Sequence, residues 1–147
     1  MIFRLFHMKK YVLILMAVML LAAVSAVYSA DFEDSTVPGL NMTTDIDAAF
    51  NASQSESKPV VIIFDQESCV YCDMLKEQVL SNADVQKELN GNYVVLMVDV
   101  NKNPDFAAKY DVVGTPIIKF VDSTGKLIDG IDGFVGSDEF IKELKEI

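Results

Sequence analysis

The chain has 147 residues, 51% of them hydrophobic, and sets 22 acidic side chains against 12 basic ones for a net charge of -10. That length accommodates one domain, and so acidic a surface repels phosphate backbones and anionic lipid, which argues against a nucleic-acid or basic membrane-patch role. Two cysteines and one histidine, His7, are too few for a multi-bridge disulfide scaffold or for a four-ligand structural zinc site within one copy.

Residues 1–30 hold Arg4, Lys9 and Lys10 and no acidic residue, and Tyr11 to Ala30 runs uncharged. A basic start, an apolar stretch and the small residues Ala22, Ala23, Ser25 and Ala26 fit a secretory signal peptide, with cleavage expected after Ala26 or, less well placed, after Ala30. Twenty uncharged helical residues at ~1.5 Å each also span a hydrocarbon core, so an uncleaved membrane anchor is the alternative. Either way the positive flank stays inside, and the remainder is expected to be exported: periplasmic, extracellular or anchored facing outside.

From Asp31 the chain is acidic, broken by Pro38-Gly39 and without apolar period, which reads as a linker over 31–44 ahead of a domain over 45–147. Thr44 can cap a helix over Asp45 to Ser53 that turns Ile46, Ala49 and Phe50 to one face. Val60 to Phe64 and Tyr93 to Val98 are continuous apolar runs of strand length, suited to a parallel sheet covered on both faces. Between them Cys72, Leu75 and Val79 share one helix face, Ser81-Asn82 breaks that helix and caps the next, and Asn90-Gly91 is expected to stop it. A short helix over Pro104 to Tyr110 follows. Ile117 to Val121 and Lys126 to Ile131 then form a hairpin around Gly125, and a last helix opens at Ser137.

The chemistry concentrates at Cys69-Val70-Tyr71-Cys72, where the first long strand runs through Asp65-Gln66-Glu67-Ser68 into a helix. A thiol at a helix N-terminus meets unpaired N–H groups and the positive end of the dipole, which favour thiolate, and the spacing lets the two sulfurs bond. The helical phase separates their roles. Cys72 faces the core and should be buried as the resolving thiol, whereas Cys69, in the first turn, should be accessible as the nucleophile. An inert disulfide is the bland alternative, and a soft-metal site using Met74 and Met97 is another, short of ligands because no histidine lies downstream.

These residues, together with Val113-Gly114-Thr115-Pro116 ahead of the hairpin, resemble the thioredoxin superfamily over roughly 45–147. Lys58-Pro59-Val60, the Cys-Val-Tyr-Cys run and Ser81 to Leu89 make the chain look most like the carboxy-terminal domain of the thiol:disulfide interchange protein DsbD and its soluble relatives. The resemblance implies an α/β thioredoxin-like fold, a central mixed sheet flanked by helices, and a cis peptide before Pro116 beside the cysteines. It also implies a substrate-binding surface including Val70, Tyr71, Thr115 and Pro116, with Gly133 in a loop bordering it or serving only as a turn glycine. The expected activity is reduction of protein disulfides by a monomer that needs no cofactor or metal. Its partners would be disulfide-bearing proteins and a membrane electron donor. A non-catalytic peptide-binding module is the alternative. Asn41 and Asn51 match the glycosylation acceptor pattern without deciding anything.

Two departures from the family bear on mechanism. Ser68 stands where many thioredoxins have Trp. Ile63 and Met97 stand where many carry a buried carboxylate and a lysine, which leaves Glu67 or Asp65 as the carboxylate, or water, to move the proton of Cys72.

Overall fold

The computed structural model describes residues 37–147. The leader at 1–30 and the start of the expected linker lie outside the described residues. Five strands form one mixed sheet in the order β1-β3-β2-β4-β5: β1 (Met42–Thr43), β2 (Val60–Asp65), β3 (Val94–Asp99), β4 (Ile117–Val121) and β5 (Leu127–Asp132). β1 and β2 run parallel to β3, while β4 is antiparallel to both β2 and β5. The expected parallel pairing of the two apolar strands and the expected hairpin are both present.

The two continuous apolar strands follow from covering both sheet faces. Val61, Ile63, Val95, Met97, Ile118 and Phe120 point to one core. It is roofed by α2 (Val70–Met74) with the π-helical turn Leu75–Leu80 that continues it, by α3 (Ala83–Asn92) and by α5 (Ser137–Glu146). Val60, Ile62, Phe64, Val94, Leu96 and Val98 point to the other core, roofed by α1 (Ile46–Glu56) and α4 (Pro104–Lys109). Alternate residues of each strand therefore face different cores, and neither set can be polar. Among the described residues no helix is long and apolar enough to cross a membrane.

Several local expectations change. The segment from Val37 is packed against the domain: Val37, Leu40 and Met42 are buried, and β1 pairs Met42 with Val95 and Thr43 with Leu96. Side chains of α3 hold it, Gln86 donating to the Pro38 carbonyl at 2.8 Å and Asn90 bonding both Gly39 O, at 2.9 Å, and Asn41 N–H, at 2.8 Å. Gly39 sits at φ +87, a conformation that favours glycine, and a Cβ there would meet Gln86 Oε1 at 2.5 Å and displace the amide that bonds the Pro38 carbonyl. Asn90-Gly91 does not stop α3, which runs on to Asn92 and ends where Tyr93 turns extended. Asn90 spends its amide on the 37–41 segment instead.

α1 is capped by Asp45, not Thr44, because the Asp45 carboxylate accepts from Ala48 N–H at 2.9 Å while Thr43 Oγ1 receives Asp45 N–H at 3.1 Å. The helix extends to Glu56 and ends at Ser57 in the left-handed region. At the hairpin turn the Thr124 hydroxyl, then the Lys126 and Thr124 amides, hold the exposed Asp122 carboxyl below its ordinary value. A carboxyl lowered in the folded state stabilises above its unfolded pKa, and that contribution is lost as pH falls through the folded one.

Tyr93 links the two ends of one core, its hydroxyl donating to the Leu144 carbonyl in α5. Burial first, and the charge of Glu88 second, raise its phenol above the ordinary value. An acid raised by folding stabilises fully below its unfolded pKa of ~10 and loses that contribution as pH climbs through the folded value. Tyr93→Phe is therefore expected to lower unfolding free energy by about 1–2 kcal/mol at neutral pH, since the Leu144 carbonyl loses its buried donor. Urea unfolding should also show a shallower decline above pH ~10 for the variant than for the wild type. Equal midpoints throughout would refute the assignment.

Candidate active site

β2 ends at Asp65, and the chain turns through Ser68, at φ 64, into Cys69, the N-cap of α2. The turn brings two amides back onto the cap. Cys72 and Asp73 N–H reach the Cys69 carbonyl at 3.0 and 3.1 Å, and Cys72 N–H also lies 3.2 Å from Cys69 Sγ. A helix amide aimed at the sulfur favours negative charge there. The two cysteines are disulfide-bonded, their Cα atoms 5.2 Å apart.

Cys72 is 2% exposed, as its helix phase predicts, but Cys69 is only 8% exposed. The expectation of an open first cysteine thus holds in order but not in degree. Cys69 is covered in part by the Thr115 side chain, whose hydroxyl donates to Cys69 Sγ at 3.4 Å. Thr115 is joined to Pro116 by a cis peptide, as the resemblance implies, and the loop between α4 and β4 thereby meets the start of α2. Val70 and Tyr71 are 70% and 60% exposed, and Val113, in the same loop as Thr115, is 96% exposed. Val70 and Tyr71 thus form an open apolar margin at the disulfide. Gly133, at φ +94, donates its N–H to the Pro116 carbonyl at 2.9 Å. Its turn role is visible in that geometry.

Below the disulfide, Leu75–Leu80 form a π turn, marked by the bond from Ser81 N–H to the Lys76 carbonyl. The extra residue per turn lets Leu75, Val79 and Leu80 all face the core, where a regular helix would swing one of them aside. Lys76, at the outer side of this turn, pairs with Asp65 at 2.5 Å. One Asp65 carboxylate oxygen and the sulfurs of Cys69 and Cys72 lie within 4.8 Å of one another. Glu67, the other carboxylate considered from sequence, is exposed. Of the two thioethers considered as metal ligands, Met97 is packed into the core and Met74 is half-buried.

Sequence reasoning missed two features here. The Thr115 hydroxyl contact carries no sequence signal, because a loop-to-helix distance depends on tertiary packing. The Asp65–Lys76 pair was findable in principle, since opposite charges flank the cysteine run, but the π turn alters the phase that would have placed Lys76.

A family model for the thioredoxin-like domain matches residues 46–147. The chain is 30% identical over 99 residues to the thiol:disulfide interchange protein DsbD of Yersinia pestis, covering 63% of this chain and 16% of that one. Its fold is similar to the solution structure of a thioredoxin from Thermus thermophilus, at a TM-score of 0.63 and 30% identity over 69% of this chain and 82% of the other. It is also similar to the oxidised carboxy-terminal domain of Neisseria meningitidis DsbD, at a TM-score of 0.61 and 25% identity over 71% and 97%. The chain spans only 12% and 16% of two curated relatives it matches, so it corresponds to one part of those longer proteins.

Proposed function

The chain belongs to the thioredoxin-like domain family, and from that premise we propose that it is an exported thiol-disulfide oxidoreductase that reduces protein disulfides through Cys69 and Cys72. The observation that carries this reading is the Cys69–Cys72 disulfide at a helix N-terminus, met by the Thr115 hydroxyl and rimmed by exposed Val70 and Tyr71. In the reduced protein the Cys69 thiolate attacks one sulfur of a substrate disulfide, and the other substrate sulfur leaves as thiolate. Cys72 then attacks Cys69 Sγ, which releases the second substrate thiolate and closes the Cys69–Cys72 bond. Two electrons pass from the protein's thiols to the substrate, and a donor must restore them.

Val70, Tyr71 and Thr115 form the surface on which an extended substrate segment lies, and Pro116, which the resemblance also places there, is buried and acts by shaping the Thr115 backbone. The similarity to the thiol:disulfide interchange protein DsbD supports disulfide exchange, and the reductive direction with a membrane electron donor is what the family resemblance implies. The basic and then apolar leader supports export, with residues 1–30 a cleaved signal or an anchor and the domain acting as a monomer outside the membrane. The test is insulin reduction with a limiting thiol reductant, in which the protein should accelerate B-chain precipitation well above reductant alone. No acceleration by protein with both thiols reduced would leave a peptide-binding module. A potential near about -270 mV for the pair would support a reductant, and one near about -120 mV an oxidant.

A further inference from the structure

We propose that Asp65, held by Lys76, accepts the proton of Cys72 during the resolving step. The inference rests on the oxidoreductase reading and deepens it. Asp65 ends β2 on the same sheet face as Ile63, because side chains alternate along a strand, and this is the face on which Cys72 is buried. Its carboxylate and both sulfurs lie within 4.8 Å of one another, a span that one water molecule bridges. The Asp65 side chain is only 14% exposed, and the Lys76 ammonium fixes it from the π turn at 2.5 Å. Its other oxygen is engaged locally, since Oδ1 receives Gln66 N–H at 2.8 Å.

The charged neighbours leave that role to Asp65. Asp99 is its cross-strand partner but turns to Lys102 at 3.6 Å and to Asn101 N–H at 2.9 Å. Glu67 in the loop and Asp73 in α2 are both exposed. Cys72, 2% exposed, has little bulk water to receive its proton. The step balances as follows. Cys72 S–H gives its proton to the Asp65 carboxylate, directly or through water, as its sulfur attacks Cys69 Sγ in the mixed disulfide. The Cys69–Cys72 bond forms, the bond from Cys69 to the substrate sulfur breaks, and the substrate leaves as thiolate. The Asp65 carboxyl then returns its proton to that thiolate or to solvent.

Ellman's reagent separates the two steps in the reduced full chain, because one thionitrobenzoate leaves when Cys69 attacks and a second when Cys72 resolves. In Asp65→Asn the second phase should slow about a hundredfold at pH 7, the low end for lost general-base help. The gap to the wild type should narrow as pH rises, because a thiol that ionises unaided needs no base. The first phase should be no slower, since removing a nearby negative charge favours the Cys69 thiolate. Asp65→Glu should recover most of the second phase. A second phase unchanged by Asp65→Asn, or slowed equally at every pH, overturns the proposal.

Should Asp65→Asn not fold, the wild-type second phase decides alone: it should be flat between about pH 6 and 8, and a tenfold rise per pH unit across that range overturns the proposal. A wild type that releases only one thionitrobenzoate per chain refutes the oxidoreductase reading itself. Normal wild-type phases with an indifferent Asp65→Asn refute only the role of Asp65.

Discussion

Reduced Cys72→Ser protein should trap a disulfide substrate as a mixed disulfide through Cys69, and Cys69→Ser should trap none and fall to the background rate of the reductant. The asymmetry follows from the start of α2. Cys69 Sγ receives the Cys72 amide at 3.2 Å and the Thr115 hydroxyl at 3.4 Å, two donors that stabilise a thiolate in place of protons on the sulfur. Cys72 is 2% exposed, where a charged sulfur would be poorly solvated. An incoming disulfide can approach only from the open side, where Val70 and Tyr71 are exposed.

Cys69 is itself only 8% exposed in the oxidised pair, so attack needs the Cys69–Cys72 bond already broken and the Cys69 sulfur turned outward. The measurement is non-reducing electrophoresis of each variant after mixing with oxidised insulin, with the linked cysteine identified by peptide mapping. A complex that forms with Cys69→Ser and not with Cys72→Ser would reverse the assignment of roles.

The sequence carried much of this site because its signals are local. The β-branched runs of β2 and β3, the break at Ser81-Asn82 and the cap at Asn82 each depend on a few adjacent residues, and all appear where expected. The cysteine pair is legible for the same reason. Features that depend on distant packing were not. Residues 37–43 look like a linker because they hold Pro and Gly and no period, yet Gln86 and Asn90, far along the chain, supply the bonds that fix them. The coverage of Cys69 by Thr115 arises from two loops meeting across the sheet. The π turn is invisible to a 3.6-residue period, which assigns Val79 but not Leu80 to the core face, although both are buried.

Ile63→Asp should destabilise the protein by about 3–5 kcal/mol at neutral pH, the range for an uncompensated charge in a core. Ile63 is 1% exposed, sits in register between Met97 on β3 and Ile118 on β4, and belongs to an apolar core cluster. Two residues further along the same face, Asp65 is tolerated because it reaches the rim and meets Lys76. The two sites thus differ in both exposure and partner. An aspartate forced into the Ile63 site would hold its proton to higher pH than in the unfolded chain, so on top of a pH-independent loss of apolar packing the ionisation part of the penalty should be small near pH 4 and should grow by up to ~1.4 kcal/mol per pH unit above that until the charged form is reached.

Adding Met97→Lys, directly across the strand pair, should recover part of the loss by supplying the missing charge, and more at pH 7 than at pH 4. Urea unfolding of the wild type, Ile63→Asp and the double variant at the two pH values tests this. A loss below about 1 kcal/mol that does not vary with pH would mean that water reaches this layer of the core. In that case buried Cys72, on the helix that leads into the π turn covering this core, could give its proton to solvent without a carboxylate.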